Sequence, residues 1–415
     1  MGQHLRYDVA IVGGSIGGCT AALFFARRGL RVALIERNED PHAYKKVCTH
    51  FIQPSAVPTL ERLGLTGMIE AAGALRNRLE VHTRWGWIRD SEDAQRYGYN
   101  IRRETLDPLL RTLAATTVGV DFMPGASPER LLEHHGRIVG VEIARQGRPT
   151  VTVDARLVVA ADGRHSQMVK LARVPAKSKV NGRFTYFTYY RDLPLSSAVN
   201  SQYWYMEPEL AYAFSNNDCL TLLGAFLPND QLAEWKRDVQ GHFVRFWDRV
   251  PGAPSLRAAE QVGEMRGMVH MPNVSRPAAW KGMALVGDAA LSLDPIWGTG
   301  CGFAFQSAEW LADCAGDALG NGAPSDRAID RGLEQYRKRH RAATLGHALH
   351  IADFSKARDN RFLETLLMSA ATRDGEIAHS LLEYLARDIG ITHLARKVLR
   401  AIWVHVPYAG HVARA

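Results

Sequence analysis

The sequence predicts an α/β protein of 415 residues in three parts: a domain built on a parallel sheet, an antiparallel β domain and a helical C-terminal region. The chain opens with a βαβ unit, in which a strand from Tyr7 to Val12 leads through glycines into a helix ending near Arg28, and a second strand follows. Aromatic and β-branched runs between turn residues, from Phe184 to Phe226, predict the antiparallel sheet. From about residue 325 the pattern is helical almost to the end.

Further strand and helix patterns set the expected domain boundaries. Two later apolar runs, Arg156–Ala161 and Met283–Val286, are expected to complete the parallel sheet, so its domain is discontinuous. We therefore assign residues 1–180 and 276–325 to this first domain, 181–275 to the antiparallel domain and 326–415 to the helical region. Helices are also expected at Thr59–Ala72, Thr105–Thr116 and Gln231–Arg249.

Composition excludes several classes of protein. Apolar residues make up 46% and charged residues 23% of the chain, which argues against a disordered or fibrous protein. The net charge of +8 comes from scattered arginines, so we expect no nucleic-acid partner. Five cysteines without a CxxC pair favour a reducing compartment. Since no apolar run is long enough to span a bilayer, we expect a cytoplasmic protein without an integral membrane segment.

The turn after the first strand is rich in glycine and predicts dinucleotide binding. It fills the G-x-G-x-x-G pattern with one replacement, a serine in the middle position, and runs Gly13, Gly14, Ser15, Ile16, Gly17, Gly18. The free N–H groups at the start of the following helix can hold a pyrophosphate. Glu36 closes the second strand, where a carboxylate can accept the ribose hydroxyls, and Arg37 beside it is a further candidate.

Two later motifs resemble those of the FAD-dependent monooxygenase superfamily. They are the DG motif around Asp162 and Gly163, and the GD motif around Asp288. A third stretch is similar to the P-x-x-G-x-G-x-G segment of that superfamily and contains Pro295, Gly298, Gly300, Cys301 and Gly302. The resemblance implies a Rossmann-type FAD-binding domain of the GR2-like type. It places Asp162 near the pyrophosphate, Asp288 on the ribityl chain and the last glycines at a helix N-terminus facing the flavin.

The last segment also has a physical reason to lie beside a flavin. Reduced flavin carries negative charge, which the N–H donors and partial positive charge of a helix N-terminus stabilise. A fourth match, from Asn100 to Asp107, is similar to the R-x-x-L-D stretch that opens a helix beside the cofactor. It implies that Arg103 contacts the flavin.

The resemblance further implies a reaction. Because the chain has no second glycine-rich strand–turn–helix, a separate NAD(P)H domain is not expected. The group A aromatic hydroxylases likewise have one dinucleotide-binding domain. In these enzymes NAD(P)H binds transiently to reduce FAD, and O2 is the oxidant. We therefore expect hydroxylation or epoxidation of an aromatic or apolar small molecule in secondary metabolism. A partner flavin reductase is the alternative source of electrons.

Three alternatives remain open. The segment from Lys45 to Cys48 resembles the geranylgeranyl-reductase branch, although Thr49 replaces that branch's glycine and Tyr212–Ser215 lacks its Trp and Pro. This resemblance implies reduction or dehydrogenation of a prenylated or lipid-like substrate. Trp85–Arg89 is the only stretch that approaches the halogenase motif W-x-W-x-I-P, and it lacks both the proline and the spacing of that motif. A flavin fold could also serve a redox-sensing regulatory protein.

Candidate catalytic residues are few. If the resemblance holds, Cys48 and His50 lie nearest the reacting face, and His50 could act as a general base on a phenol. His347, His350 and Asp353 have helical spacing, but we assign no metal site. Alternation predicts that Phe184, Tyr186 and Tyr190 share one face of their strand and Phe187 and Tyr189 the other, with one of the two faces available to substrate.

Overall fold

The computed structural model describes residues 3–91, 94–196, 200–256, 259–320 and 325–399. Its strands are β1 Gln3–Val12, β2 Val32–Glu36, β3 Phe51–Ile52, β4 Leu75–Thr83, β5 Gly86–Ile88, β6 Gly98–Asn100, β7 Val120–Pro124, β8 Ala126–His134, β9 Arg137–Arg145, β10 Arg148–Ala160, β11 Lys177–Lys179, β12 Arg183–Arg191, β13 Asn200–Tyr205, β14 Leu210–Ser215, β15 Leu220–Pro228, β16 Glu260–Met268, β17 Asn273–Ser275, β18 Ala279–Trp280, β19 Met283–Leu285 and β20 Leu291–Ser292. Its helices are α1 Ile16–Ala26, α2 Val57–Arg62, α3 Thr66–Ala71, α4 Arg103–Thr116, α5 Gln167–Leu171, α6 Leu232–Trp235, α7 Val239–Asp248, α8 Thr299–Gly320, α9 Asp326–Phe354, α10 Phe362–Ala371 and α11 Gly375–Leu385.

The first sheet is the predicted parallel one. Its main path runs β18-β19-β10-β1-β2-β7, and all pairs from β19 to β7 are parallel. The strands are nearly continuous runs of Val, Ile, Leu and Ala, as expected where helices cover both faces. β8 and β9 extend it as an antiparallel hairpin joined to β10. Because the chain leaves β1 for β2 on one side and later adds β10 on the other, the carboxyl end of β1 is a topological switch point.

The second sheet is the large aromatic one, and it reaches beyond the predicted boundary. Its main path runs β16-β12-β15-β14-β13-β4-β6-β3, with β5 paired to β4. Strands β3 to β6 therefore join it from the segment 51–100, which the sequence analysis placed in the first domain. The long aromatic runs predict β12 to β15 well. By contrast, β3, β5 and β6 have two or three residues each, and β4, although nine residues long, is interrupted by polar residues, so this segment gives little periodicity.

Alternation along β12 is confirmed, and the structure assigns the two faces. Phe184 and Tyr190 lie in a core cluster with α6 and α7, and Tyr186 packs against it. Phe187 and Tyr189 belong instead to a cluster that contains Trp297 and the C-terminal helices. The second face is therefore the one turned toward the glycine-rich segment that precedes α8.

Two predicted helices are each divided in the structure. Thr59–Ala72 becomes α2 and α3, separated by Gly64 in a left-handed conformation (φ +64°). Gln231–Arg249 becomes α6 and α7, and Asp238 caps α7 by accepting a hydrogen bond from the Gly241 N–H. Both breaks stand at residues that favour turns or caps.

The C-terminal helices close the structure over both other parts. The Tyr336 hydroxyl on α9 donates to the Leu285 carbonyl at 2.7 Å and so fixes α9 to the first sheet. Farther along, Ile351, Phe354 and Leu381 pack against the aromatic sheet. Helical backbone also covers 391–399, while 321–324 and 400–415 of the predicted regions lie outside the described residues. None of the helices in the described ranges is long and apolar enough to cross a membrane.

Candidate active site

The glycine-rich turn is shaped by close contacts that only glycine permits. Gly13 has a φ of +115°, and a Cβ there would lie 2.4 Å from the Ala161 carbonyl oxygen. A Cβ on Gly18 would lie 1.7 Å from the Gly13 oxygen, so α1 packs directly on the end of β1. Ser15 is the N-cap of α1, yet its side chain does not cap the helix. The first N–H groups of α1 are thus left for a ligand.

Glu36 lies beside this turn, as the fingerprint predicts. Its Oε2 accepts a 2.6 Å hydrogen bond from the Gly14 N–H, and its Oε1 accepts two from Asn38. The carboxylate is buried at the carboxyl end of β2. Arg37, the next residue, is exposed. The geometry places an acceptor for ribose hydroxyls next to the N-terminus of α1.

The DG and GD motifs meet at the carboxyl ends of β10 and β19. Asp162 accepts hydrogen bonds from Gln167 N at 2.6 Å and Met168 N at 3.1 Å, so it caps α5, while Gly163 adopts a φ of +80°. Asp288 accepts a 2.8 Å ion-pair hydrogen bond from the Lys45 ammonium. Parallel strands bring these motifs together because their carboxyl ends share one edge of the sheet.

The charges around Asp288 set its ionisation. Burial raises the pKa of Asp288, but the Lys45 ammonium and the guanidinium groups of Arg164 and Arg103 lower it by more, and the net pKa lies below its usual value. Asp288 is therefore an ionised acceptor. A carboxylate of this kind suits the hydroxyl groups of a ribityl chain.

The segment from Pro295 to Gly302 contains a turn and the first four residues of the 22-residue helix α8. Asp294 caps the turn by accepting a 2.9 Å hydrogen bond from the Ile296 N–H. Gly298 then turns left-handed, with φ +61°, and a Cβ there would lie 2.6 Å from Phe51 Cδ1. Gly300 faces Asp288, since its Cβ would lie 3.9 Å from Oδ1 of that residue. The N-terminus of α8 thus opens toward the same carboxylate edge of the sheet.

Arg103 is a buried cation at the centre of the site. Its Nε donates to Asp107 Oδ1 at 2.8 Å, and its Nη2 donates to Ser15 Oγ at 2.7 Å. Its Nη1 lies 3.8 Å from Cys48 Sγ and 4.0 Å from Cys301 Sγ. One guanidinium therefore joins the glycine-rich turn to the start of α8.

Cys48 and Cys301 are in contact. Their sulfur atoms are 3.7 Å apart, although 253 residues separate them in sequence. The hydrogen bond from the Cys301 thiol and the charges of Arg103 and Lys45 hold the pKa of Cys48 below its usual value. The same hydrogen bond, together with burial, raises the pKa of Cys301.

His50 is buried beneath the aromatic sheet with both ring nitrogens occupied. Its Nδ1 accepts a 2.9 Å hydrogen bond from the Arg103 N–H, and its Nε2 is hydrogen-bonded to the Tyr189 hydroxyl. Burial, followed by the charges of Arg103 and Arg102, lowers the pKa of His50 well below its usual value. His50 would have to give up one of these hydrogen bonds before it took a proton from a substrate, so its role as a base stays a prediction.

An apolar cleft borders the turn before α8. It is lined among others by Phe51, Leu79, Trp297, Leu382 and Leu385. The aromatic sheet forms one wall and the C-terminal helices the other.

The histidines of α9 lie at the edge of this region. The Tyr384 hydroxyl is 2.8 Å from His350 Nδ1, and the His347 ring stacks on the same tyrosine. Asp353 instead forms ion pairs with Lys356, Arg358 and Arg361. The histidines therefore belong to the packing of α9 on α11.

Several site residues escaped the sequence analysis. Lys45 lies in the segment that resembles the reductase branch, but no local pattern pairs it with Asp288, 243 positions later. Arg111 donates to carbonyl oxygens of Gly14, Pro41 and Ala43 and so fixes the loop after β2. Asp107 could have been found, since it follows Arg103 by four residues on a helix.

These residues fit FAD. The cradle at Gly13 and Gly18 leaves no space for side chains, the start of α1 has unused N–H donors, and the Glu36 carboxylate lies beside that turn, where it would accept the hydroxyls of a bound ribose. Asp288 is an ionised acceptor, and the N-terminus of α8 provides donors for a negatively charged ring.

Comparisons with known proteins agree with this fit. A family model described as FAD binding domain matches residues 6–344. The chain is 26% identical over 330 residues to a digeranylgeranylglycerophospholipid reductase of Thermoplasma acidophilum, covering 75% of this chain and 78% of the relative. Among solved structures, p-nitrophenol 4-monooxygenase of Pseudomonas putida has a TM-score of 0.76 at 18% identity, covering 94% and 99% of the two chains. A flavin-dependent brominase has a TM-score of 0.75 at 18% identity, covering 92% and 94%.

Proposed function

The chain belongs to the FAD binding domain family and is an FAD-dependent oxidoreductase, and from that premise we propose that it is an NAD(P)H- and O2-dependent monooxygenase. Its substrate in this proposal is an aromatic or apolar small molecule, which it hydroxylates or epoxidises in the cytoplasm. When bound, FAD supplies the exchange of electrons with NAD(P)H and O2. The chain's own residues bind the substrate, exclude water and stabilise charge.

The cleft lined by Phe51 and Trp297 is the observation that carries the proposal. Phe51 contacts Gly298, and the Trp297 ring lies 5.2 Å from Phe354 and 6.5 Å from Tyr203, so aromatic rings cover the turn before α8. Such walls exclude water from the reacting centre. The lining of the cleft by the Phe51 and Trp297 rings suits an aromatic compound.

The polar residues have complementary roles. Arg103 and the N-terminus of α8 would stabilise the negative charge of the reduced cofactor. Glu36 and Asp288 would bind its sugar and ribityl hydroxyls. Cys48 and His50 lie between these groups and the aromatic sheet, where they would hold Arg103 and Tyr189 in place.

A second candidate is a flavin-dependent reductase of a prenylated or lipid-like substrate. The likeness to the reductase of Thermoplasma acidophilum supports it, as does the position of Cys48 against the first turn of α8. This function would not use O2, which gives an experiment that separates the two candidates.

The first test is an anaerobic titration of the FAD-loaded protein with NADH and NADPH, followed by flavin absorbance. The reduced protein is then mixed with phenol, indole or geranylgeraniol, with and without isotopically heavy O2, and the products are analysed by mass spectrometry. One labelled oxygen atom in an aromatic product supports the monooxygenase. Two added hydrogens, gained without O2, support the reductase, and a halogen gained only when bromide or chloride is present would overturn both. Bleaching only when a flavin reductase is added would identify a partner as the electron source.

A variant of the cleft gives the second test. Trp297→Leu removes an aromatic wall and is expected to raise the KM for an accepted aromatic substrate by about tenfold, the effect of roughly 1.4 kcal/mol of lost contact. Trp280→Leu changes a half-buried tryptophan of the first sheet, outside the cleft, and serves as the control. Equal KM values in the two variants would place the substrate elsewhere.

A further inference from the structure

Two cysteines from distant parts of the chain meet at the start of α8. Cys48 lies in the segment before β3, and Cys301 lies in the first turn of α8. Their Sγ atoms are 3.7 Å apart, which is van der Waals contact between two free thiols and not the roughly 2.05 Å of a disulfide bond. The sulfurs need to approach by less than 2 Å to be bonded.

The two sulfur atoms differ in their hydrogen bonds and in their burial. Cys48 Sγ accepts a 3.3 Å hydrogen bond from the His50 N–H and faces the Arg103 guanidinium, so its thiolate is stabilised. Cys301 Sγ is the hydrogen-bond partner of Cys48 and is buried. The arrangement provides a nucleophilic thiolate beside a second thiol that is in contact with it.

Exposure gives the two cysteines different access to small oxidants. Cys48 is partly exposed, so a peroxide can reach it, whereas Cys301 is 6% exposed. The other three cysteines do not share this setting: Cys19 is fully buried in α1, and Cys219 and Cys314 lie outside the site.

We propose that Cys48 and Cys301 form a redox-active dithiol that hydrogen peroxide converts to a disulfide within the FAD-loaded protein. The Cys48 thiolate attacks one peroxide oxygen, so an S–O bond forms, the O–O bond breaks and hydroxide leaves to become water. The Cys301 sulfur then attacks the Cys48 sulfenic acid, so an S–S bond forms, the S–O bond breaks and a second water leaves. Two thiols are oxidised by two electrons, and one peroxide is reduced to two waters.

The disulfide would join two segments that surround the cofactor site. It ties the segment before β3 to the first turn of α8, next to Arg103, Gly300 and Gly302. Peroxide is also the product of any reduced flavin that reacts with O2 without substrate. The dithiol is therefore a site at which such peroxide would modify the enzyme itself. The proposal holds whichever of the two candidate reactions the enzyme catalyses.

The test is a thiol analysis of the FAD-loaded wild-type protein. Hydrogen peroxide is added in small excess and then removed, the protein is denatured so that N-ethylmaleimide blocks all remaining thiols, and it is digested without reductant for mass spectrometry. We expect one cross-linked peptide pair that contains Cys48 and Cys301, with Cys19, Cys219 and Cys314 still alkylated. Dithiothreitol is expected to restore both free thiols. The proposal is overturned if both thiols stay free after peroxide treatment, or if either thiol is linked to another cysteine.

Two variants and a control separate the steps. In Cys301→Ser the reaction is expected to stop at a Cys48 sulfenic acid, which dimedone traps. In Cys48→Ser, oxidation of Cys301 is expected to slow at least tenfold. Cys219→Ser changes an exposed cysteine and should form the cross-link at the wild-type rate. A cross-link found only in FAD-free or urea-treated protein would also overturn the proposal. The wild-type measurement decides this whether or not the variants fold.

Discussion

The Nδ1 atom of His50 accepts a 2.9 Å hydrogen bond from the backbone N–H of Arg103, the first residue of α4. A ring nitrogen that accepts has no proton, so the neutral imidazole carries its proton on Nε2 and donates it to the Tyr189 hydroxyl. Thus one side chain satisfies an otherwise free N–H at the start of a helix and also reaches the aromatic sheet. This relationship predicts that His50 is a positioning residue.

His50→Asn tests this role. Asparagine tolerates the left-handed backbone of this position (φ +61°), and its side-chain oxygen can replace Nδ1 as the acceptor. We expect His50→Asn to retain FAD and its rate of flavin reduction. His50→Ala leaves the Arg103 N–H unsatisfied, and we expect a loss of about 1–3 kcal/mol in the free energy of unfolding. Stopped-flow reduction and urea denaturation measure the two quantities. If His50→Asn folds and binds FAD but loses turnover, His50 acts as a base.

Asp288 is expected to bind the cofactor through its ionised carboxylate. Asp288→Asn removes the charge and the partner of Lys45, and hydrogen bonds to charged groups contribute about 1.5–3 kcal/mol. We therefore expect FAD to bind roughly 10- to 100-fold more weakly. Titration of the FAD-free protein, followed by quenching of flavin fluorescence, gives the Kd. The control Asp359→Asn changes an exposed carboxylate, and equal Kd values for the two variants would contradict the assignment.

Gly18 is expected to tolerate no side chain. A Cβ at Gly18 would lie 1.7 Å from the Gly13 oxygen, and backbone cannot move aside as a side chain can. Gly18→Ala should therefore yield protein that is insoluble or lacks FAD. At Gly346, in the middle of α9, a Cβ would meet nothing within 4 Å, so Gly346→Ala should stabilise the protein by about 0.5–1 kcal/mol. Tm and flavin content of both variants check this prediction, which fails if Gly18→Ala purifies with a full complement of FAD.

Acid is expected to destabilise the protein through its buried histidines. Burial lowers the pKa of His340 from 6.5 to about 4. Between these two values the unfolded chain binds more protons than the folded one, so stability is complete above pH 6.5 and is lost as the pH falls toward 4. The loss for His340 alone is about 3 kcal/mol.

His340→Leu removes this titrating group. The variant should therefore lose less of its Tm than the wild type between pH 7 and pH 4, as measured by thermal scans across that range. His42→Gln, at an exposed position, is the control. Identical pH profiles for His340→Leu and wild type would show that His340 is not protonated on unfolding in this range.

Local patterns were sufficient wherever a motif is contiguous. Gly13 to Gly18 with Glu36 predicted the turn and its carboxylate partner, because the βαβ unit builds this geometry within one stretch of chain. Phe184 to Tyr190 likewise predicted two faces of one strand. The affinity of the DG, GD and glycine-rich segments for FAD was implied by family resemblance.

Contacts between distant segments could not be predicted in the same way. The pairing of Lys45 with Asp288, of Cys48 with Cys301 and of His50 with Tyr189 joins residues that are more than 130 positions apart. Each depends on how the first sheet, the aromatic sheet and α8 pack together, and neither propensity nor spacing encodes this packing.

The sequence by itself thus determined the class of fold and the cofactor, and it predicted the residues that we propose hold the cofactor, since these depend on short segments with fixed local geometry. The tertiary structure alone decided which face of the aromatic sheet borders the site, that β3 to β6 belong to that sheet, and that the C-terminal helices close the cleft. The physical reason is that burial of apolar faces acts between elements, whatever their distance in sequence.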